Sequence, residues 1–278
     1  MGNLPNNERM FDIGLDLMPF RRLTDLKTTD FSAPQDDNTV ALIPVGAVEQ
    51  HGPHMPLGTD MILASAFAQG AAEKTKSANV ILYPVQSLGA SQEHHDFAGT
   101  IWLEPEVLIP TLMAIGRGVA AAGLKKVVFL NAHGGNIPAL QIVCRKLRVE
   151  RNLFAAAAGW MSFGMPDYPQ ETRRDDIHGG FMETSVMMHL RPDLVDADLA
   201  EDFVPHSRTV AQDNTHLRVL GPMVTGWVAR DLHPSGAAGN AAAATAAAGA
   251  EIFDHCTEKY AAFLDEFAAH TPDFTAPP

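Results

Sequence analysis

The run Val40-Ala41-Leu42-Ile43-Pro44-Val45 leads straight into Gly46. A run this short, wholly apolar and closed by glycine, reads as a strand buried on both faces. The pattern recurs at Val80-Ile81-Leu82-Tyr83-Pro84-Val85, at Val127-Val128-Phe129-Leu130 and at Phe154-Ala155-Ala156-Ala157-Ala158. Between these runs lie helix-forming stretches, Met61 to Ala78, Pro105 to Gly123 and about Pro138 to Glu150. Strands that alternate with helices predict an α/β fold: a mostly parallel sheet with helices on both faces. Further on, Glu183 to Leu190 reads as a helix stopped by Arg191-Pro192-Asp193, residues 193 to 235 as loop-rich, and the alanine-rich Ala237 to Ala269 as one long helix. Residues 1–37 read as a lead-in that ends in a polar loop, and 38–278 as a single catalytic domain.

The turns at the strand ends carry the chemistry. Gly46 to Asp60 holds Glu49, His51, His54 and Asp60 in a proline-stiffened turn. Glu49 and His51 are two residues apart, so their side chains leave an extended backbone on the same face. Pro53, Pro56 and Gly58 disfavour a helix there, and the stiff loop brings Asp60 back as a third donor. The second strand-end turn, Asn131-Ala132-His133-Gly134-Gly135-Asn136, supplies another imidazole. In an open parallel sheet, ligands gather at the carboxyl ends of the strands, where both turns fall. A third segment, Asp176 to Ser185, places His178 and Glu183 around Gly179-Gly180, which allows close backbone approach beside the free N–H groups of a starting helix. One Glu-x-His alone is more often a pair of solvent-facing polar residues or a satisfied histidine. Three His/acid clusters at glycine-rich turns are not explained by packing, and mixed carboxylate and imidazole donors suit zinc, manganese or iron(II) better than copper(I).

The charge balance, 20 Lys and Arg against 33 Asp and Glu for a formal −13, opposes a general nucleic-acid or anionic-membrane binder and leaves small-molecule chemistry. Cys144 and Cys256 form no Cys-x-x-Cys pair and adjoin none of the clusters, so they read as structural. Met1 to Phe20 lacks the apolar core of a signal peptide, no apolar run has membrane-spanning length, and a cytoplasmic location is the expectation. From Gly159 to Asp176 the chain carries Trp160, Phe163, Tyr168 and a charged run without period. This stretch reads either as a lid over a site or as an ordinary surface excursion.

The three clusters, with Ser91, Glu93, His94, Phe97, Gly99 and Thr100 between them, resemble the creatininase (creatinine amidohydrolase) family of binuclear metal hydrolases. The resemblance spans residues 40 to about 240 and implies a three-layer α/β subunit, assembled as a homohexamer, with two divalent ions per subunit: zinc foremost, manganese or iron otherwise. Carried over by position, Glu49 and His133 bind one ion, His51 binds the other, and Asp60 bridges them. Creatininase has a glutamate where this chain has Gly135, so creatinine itself is disfavoured and Glu183 becomes the replacement ligand or a catalytic base. His178 is the implied proton shuttle, with a core histidine as the other reading. Glu93, His94, Trp160 and Gly179 are the expected substrate contacts, with Glu93 and His94 open to a place behind the ligands instead. His95 is expected to face solvent, and His54 either to orient a ligand or to face solvent. Two ions sharing a carboxylate can hold a water whose pKa falls from about 15.7 to near 7, giving a bridging hydroxide nucleophile, while one ion stabilises the developing oxyanion. The expected reaction is hydrolysis of a non-peptide C–N bond in a small polar molecule, a cyclic amide or formamide. Family members also deformylate a ribosylaminopyrimidine phosphate, clip a peptide precursor or open a cyclic polyol ketone. A hydrolase or lyase on a cyclic polyol ketone or lactone is therefore the alternative, and a non-catalytic assembly subunit another. If the substrate carries phosphate, Arg173, Arg174, Arg208, Arg218 and Arg230 are the candidate contacts.

Overall fold

A computed structural model of the chain describes residues 20–271, apart from 174, 222 and 224 and the side chains of 171 and 173. The lead-in up to residue 19, including its reading for export signals, lies outside the described residues. Five parallel strands, β1 (Phe20–Arg22), β2 (Thr39–Val45), β3 (Asn79–Leu82), β4 (Lys126–Asn131) and β5 (Phe154–Gly159), form one sheet in the order β1-β3-β2-β4-β5. The strand expected to open the domain is the second. The lead-in contributes β1, whose Phe20 is buried in the core and pairs with Val80.

Side chains of a strand alternate between faces, and here both faces are apolar. Val40, Leu42, Val80, Leu82, Val128 and Leu130 meet α1 (Thr59–Lys74), α5 (Phe181–Leu190) and α8 (Ala246–Ala269) on one side. Ala41, Ile43, Val45, Ile81, Val127 and Phe129 meet α2 (Pro105–Ala121) and α3 (Ile137–Arg151) on the other. Three layers result, each fully buried Leu, Ile or Phe contributing about 1.5–3 kcal/mol. The remaining α-helices, α4 (Gln170–Arg173), α6 (His206–Asp213) and α7 (Ala229–Leu232), are short. A two-stranded antiparallel ribbon, β6 (Asp202–Phe203) with β7 (Gly239–Asn240), lies outside the main sheet. Among the described residues no helix is long and apolar enough to cross a membrane.

The strand register sets the site. Val45 pairs with Asn131 and Asn131 with Gly159, so β2, β4 and β5 end level. The turns after β2 and β4 therefore leave the sheet at one rim. The expected tail helix begins late: Ala238 exchanges backbone hydrogen bonds with His178, and the helix starts only at Ala246, where the Thr245 hydroxyl caps the Ala248 N–H. Alanine content favours helix, but tertiary pairing of residue 238 overrides it. The 159–176 segment contains α4, and its Trp160 is 2% exposed and stacked on Phe67 with ring centroids 4.6 Å apart.

Candidate metal centre

Glu49 and His51 leave the β2 turn, and Asp60 stands in the first turn of α1 rather than in the loop expected to carry it. His133 follows β4, and His178 and Glu183 flank the start of α5. Ligating atoms of Glu49, Asp60 and His133 all lie within 4.8 Å of one another, as do those of His51, Asp60 and Glu183, and those of Glu49, His51 and His178. Asp60 is common to the first two groups. His51 Nε2 is 3.1 Å from Asp60 Oδ1, and His133 Nδ1 is 3.2 Å from Glu49 Oε1 and 3.4 Å from Asp60 Oδ2.

The imidazoles are locked by the main chain. His51 donates Nδ1–H to the Glu49 carbonyl (3.1 Å), His133 donates Nε2–H to the Ala90 carbonyl (2.8 Å), and His178 donates Nε2–H to the Gln50 carbonyl (2.6 Å). A carbonyl can only accept, so each ring commits one N–H to the main chain and turns its other nitrogen to the carboxylates, where it can give up its proton to a bound cation. Glu49 Oε1 and Oε2 and Asp60 Oδ2 are buried without an aligned hydrogen-bond donor. Buried carboxylate oxygens left in that state are costly, and a divalent cation is the partner that this donor set fits.

The proton distribution points the same way. Burial alone would lower His51, but Asp60, with Glu183 and Glu49, raises it to about 9; burial likewise opposes His133, which Glu49, Asp60 and Glu93 carry to about 10. Burial works against an ionised Glu49, yet His133 and His94 hold it well below the usual carboxylate range. Burial raises Asp60, and burial beside Asp60 and Glu49 raises Glu183 to about 6. The carboxylates draw protons onto the imidazoles, taking positive charge from the source at hand. Burial, with His51 and His94 close by, pushes His178 well down, so it is neutral.

The other expected site residues divide. Glu93, 17% exposed, reaches His133 Nε2 at 3.5 Å from the rim of the cluster. His94 turns inward to Glu49 Oε1 at 3.2 Å, which places it behind Glu49. The Gly179 N–H donates to Glu183 Oε2 at 2.7 Å and is thus engaged within the protein. Trp160 is not brought to the cluster; its ring lies in the core under the sheet. His95 is exposed, as expected. His54 is buried, stacked on Phe203, and bonded through Nε2 to the Thr184 hydroxyl at 2.8 Å, next to Glu183. Of the candidate arginines, Arg208 pairs with Asp175 at 2.6 Å, Arg218 donates to the Asn214 and Leu217 carbonyls, and Arg230 pairs with Asp96 and lies over the Phe97 ring. Residue 174 and the side chain of 173 are outside the described residues.

Gly135 explains the departure at that position. A Cβ there would sit 2.5 Å from His133 Nε2 and 2.7 Å from Glu93 Oε1, and closer still to the Ala90 carbonyl oxygen. No side chain fits, glutamate included. A carboxylate from α5, that of Glu183, stands near His51 and Asp60.

The creatininase family model, described as creatinine amidohydrolase, matches residues 24–264. The chain belongs to the creatininase family. It is a hydrolase of that family, a metal-dependent amidohydrolase whose buried His, Glu and Asp groups could hold a divalent metal. It is 35% identical over 230 residues to the mycofactocin precursor peptide peptidase of Mycobacterium ulcerans, covering 79% of this chain and 84% of that one. It is 32% identical over 181 residues to the creatinine amidohydrolase of Pseudomonas putida, covering 60% and 70%. A solved structure described as "Creatininase Mn" superposes with a TM-score of 0.70 at 25% identity, covering 90% of this chain and 99% of that one.

The sequence pattern assigns no role to two further contributors. Gln50 lies between Glu49 and His51, and its side chain reaches His94 and the Gly236 carbonyl. Asp176 accepts the Met182 N–H at 2.9 Å and so satisfies one of the free N–H groups in the first turn of α5; an acid within a few residues of a helix start is the signal that could have found it.

Proposed function

We propose that this chain hydrolyses an amide C–N bond at a centre of two divalent ions, held by Glu49, Asp60 and His133 on one side and His51, Asp60 and Glu183 on the other. The observation that carries the reading is the pair of donor triads sharing Asp60, lined by buried carboxylate oxygens without hydrogen-bond donors. Divalent ions bound there would supply a water of lowered pKa and polarise the substrate carbonyl. The chain does the rest. Backbone carbonyls fix the ring nitrogens that would hold the ions, and the level strand ends keep the donors on a rigid frame. His178, neutral and with Nδ1 turned to the cluster, is the proton carrier: it takes a proton from the attacking water and returns it to the leaving nitrogen. Glu93, at the rim, orients the substrate's polar groups.

The substrate we favour is an open, peptide-derived amide. Two observations support it over a cyclic amide such as creatinine: the mycobacterial peptidases match more of this chain than creatinine amidohydrolase does, and Gly135 has no room for the glutamate of creatininase. A small cyclic amide or formamide is the second reading, supported by the family's described activity. The protein is expected to act in the cytoplasm as a homohexamer. Zinc titration of purified protein and of Asp60→Ala, with turnover of linear peptide amides and cyclic amides followed in parallel, tests the reading. Two equivalents of zinc in the parent protein, and neither binding nor turnover in Asp60→Ala, are expected; an active Asp60→Ala variant removes the bridging role.

A further inference from the structure

Gln50 stands between Glu49 and His51, is 5% exposed, and works through both ends of its residue. Its carbonyl accepts Nε2–H of His178. Its side chain makes three bonds whose directions are not interchangeable. The Gly52 N–H can only donate, so the oxygen 2.8 Å from it is Oε1. The Gly236 carbonyl can only accept, so the atom 3.0 Å from it is Nε2, the amide nitrogen. That same nitrogen lies 2.7 Å from His94 Nδ1. A primary amide nitrogen has two hydrogens and no lone pair to offer, so Nδ1 of His94 must accept. In the neutral ring the proton is then on Nε2, which faces Glu49 Oε1 at 3.2 Å. The arrangement is close-fitted: Gly236 has φ +85, and a Cβ there would lie 2.6 Å from the Gln50 amide nitrogen.

We propose that Gln50 is a positioning residue of the centre, fixing His94 in the tautomer whose Nε2–H stands 3.2 Å from Glu49 Oε1, off the line of a hydrogen bond, so that its positive edge favours the ionised carboxylate while both oxygens keep their lone pairs for a cation. The inference rests on the cluster being a metal centre and is independent of the substrate. It gives His94 a defined task behind Glu49. Outer groups of this kind are worth about 10- to 100-fold in metal affinity.

The proton position on His94 is read by 15N NMR of the full-length, 15N-histidine-labelled, metal-free protein, with His94→Gln identifying the signal. Zinc affinity is read by calorimetric titration with zinc alone. Two variants are compared with the parent. In Gln50→Glu the side chain can only accept, so His94 Nδ1 acquires a proton. In Gln50→Met, close in size, the bonds are absent and nothing ionisable is buried. Expected are an unprotonated Nδ1 in the parent protein, a protonated one in Gln50→Glu, and zinc affinity about 10- to 100-fold lower in both variants. A protonated Nδ1 in the parent, an unchanged Nδ1 in Gln50→Glu, or parental zinc affinity in Gln50→Met overturns the proposal. If Gln50→Glu fails to fold, the parent spectrum and the Gln50→Met titration still decide it. A parent protein that binds no zinc sinks the metal-centre reading instead, whatever the His94 spectrum shows.

Discussion

Adjacent glycines make a controlled experiment of the β4–α3 turn. At Gly135 an added methyl group would lie 2.5 Å from His133 Nε2 and 2.7 Å from Glu93 Oε1, and nearer still to the Ala90 oxygen; at Gly134 it would meet nothing within 4 Å. Neither glycine has a positive φ, so alanine is permitted by the backbone at both and only the space differs. Gly135→Ala must push His133 off the Ala90 carbonyl. Overpacking costs about 1–3 kcal/mol, and the buried carbonyl left without its donor adds about 1–3 kcal/mol. The expected loss is thus about 2–6 kcal/mol. A ligand displaced by about 1 Å also lowers kcat/KM on the order of 100-fold. Gly134→Ala should be neutral or stabilising by about 0.4–1 kcal/mol through the unfolded chain. Chemical denaturation and zinc titration of the two variants side by side provide the test. If Gly135→Ala matches Gly134→Ala in both, the turn has slack and the steric account of position 135 is wrong.

Glu183→Gln should reduce bound zinc from two equivalents to one, since Glu183 belongs to the triad of His51 and not to that of His133; elemental analysis that still returns two removes it from the ligand set. His178→Asn should leave zinc content intact and lower kcat by roughly 100- to 10,000-fold, the range for loss of a general acid–base group, and a variant of undiminished kcat would assign the proton transfer elsewhere. Asp176 is raised by burial from an ordinary 3.8 to about 7, so the folded protein holds its proton more tightly than the unfolded chain does. Stability from this group is complete below about pH 4 and is lost as pH rises towards 7, by at most about 4 kcal/mol. Asp176→Asn keeps an acceptor for the Met182 N–H without that loss, so in metal-free protein its melting temperature relative to the parent should rise between pH 4 and pH 8; a constant difference refutes the buried-carboxyl argument.

The strands leading into the donor cluster were legible because their signals are local: apolar runs at 40–45 and 127–130, each meeting a glycine-containing His turn. The illegible parts depend on distant partners. Phe20–Arg22 has two arginines in three residues and no strand pattern; it is a strand because β3 offers it an edge. Ala237 to Ala244 has the composition of the helix beyond it, yet Ala238 pairs with His178, sixty residues earlier in the chain. Trp160 sits at the correct strand end for a substrate contact, but the apolar face of Phe67 claims its ring. His54 was open between solvent and a ligand-orienting place, and its partner Thr184 lies 130 residues away.

Main-chain carbonyls orient three of the imidazoles, and a carbonyl is the one acceptor that no amino-acid exchange can delete. Replacements around the cluster can therefore accumulate, changing which molecules are accommodated, while ring orientation persists. The vulnerability lies elsewhere, in chain length: inserting or removing a single residue near 49–51 or 90 would misregister those carbonyls and disable the centre at one stroke. Such a layout lets specificity drift on a fixed catalytic core.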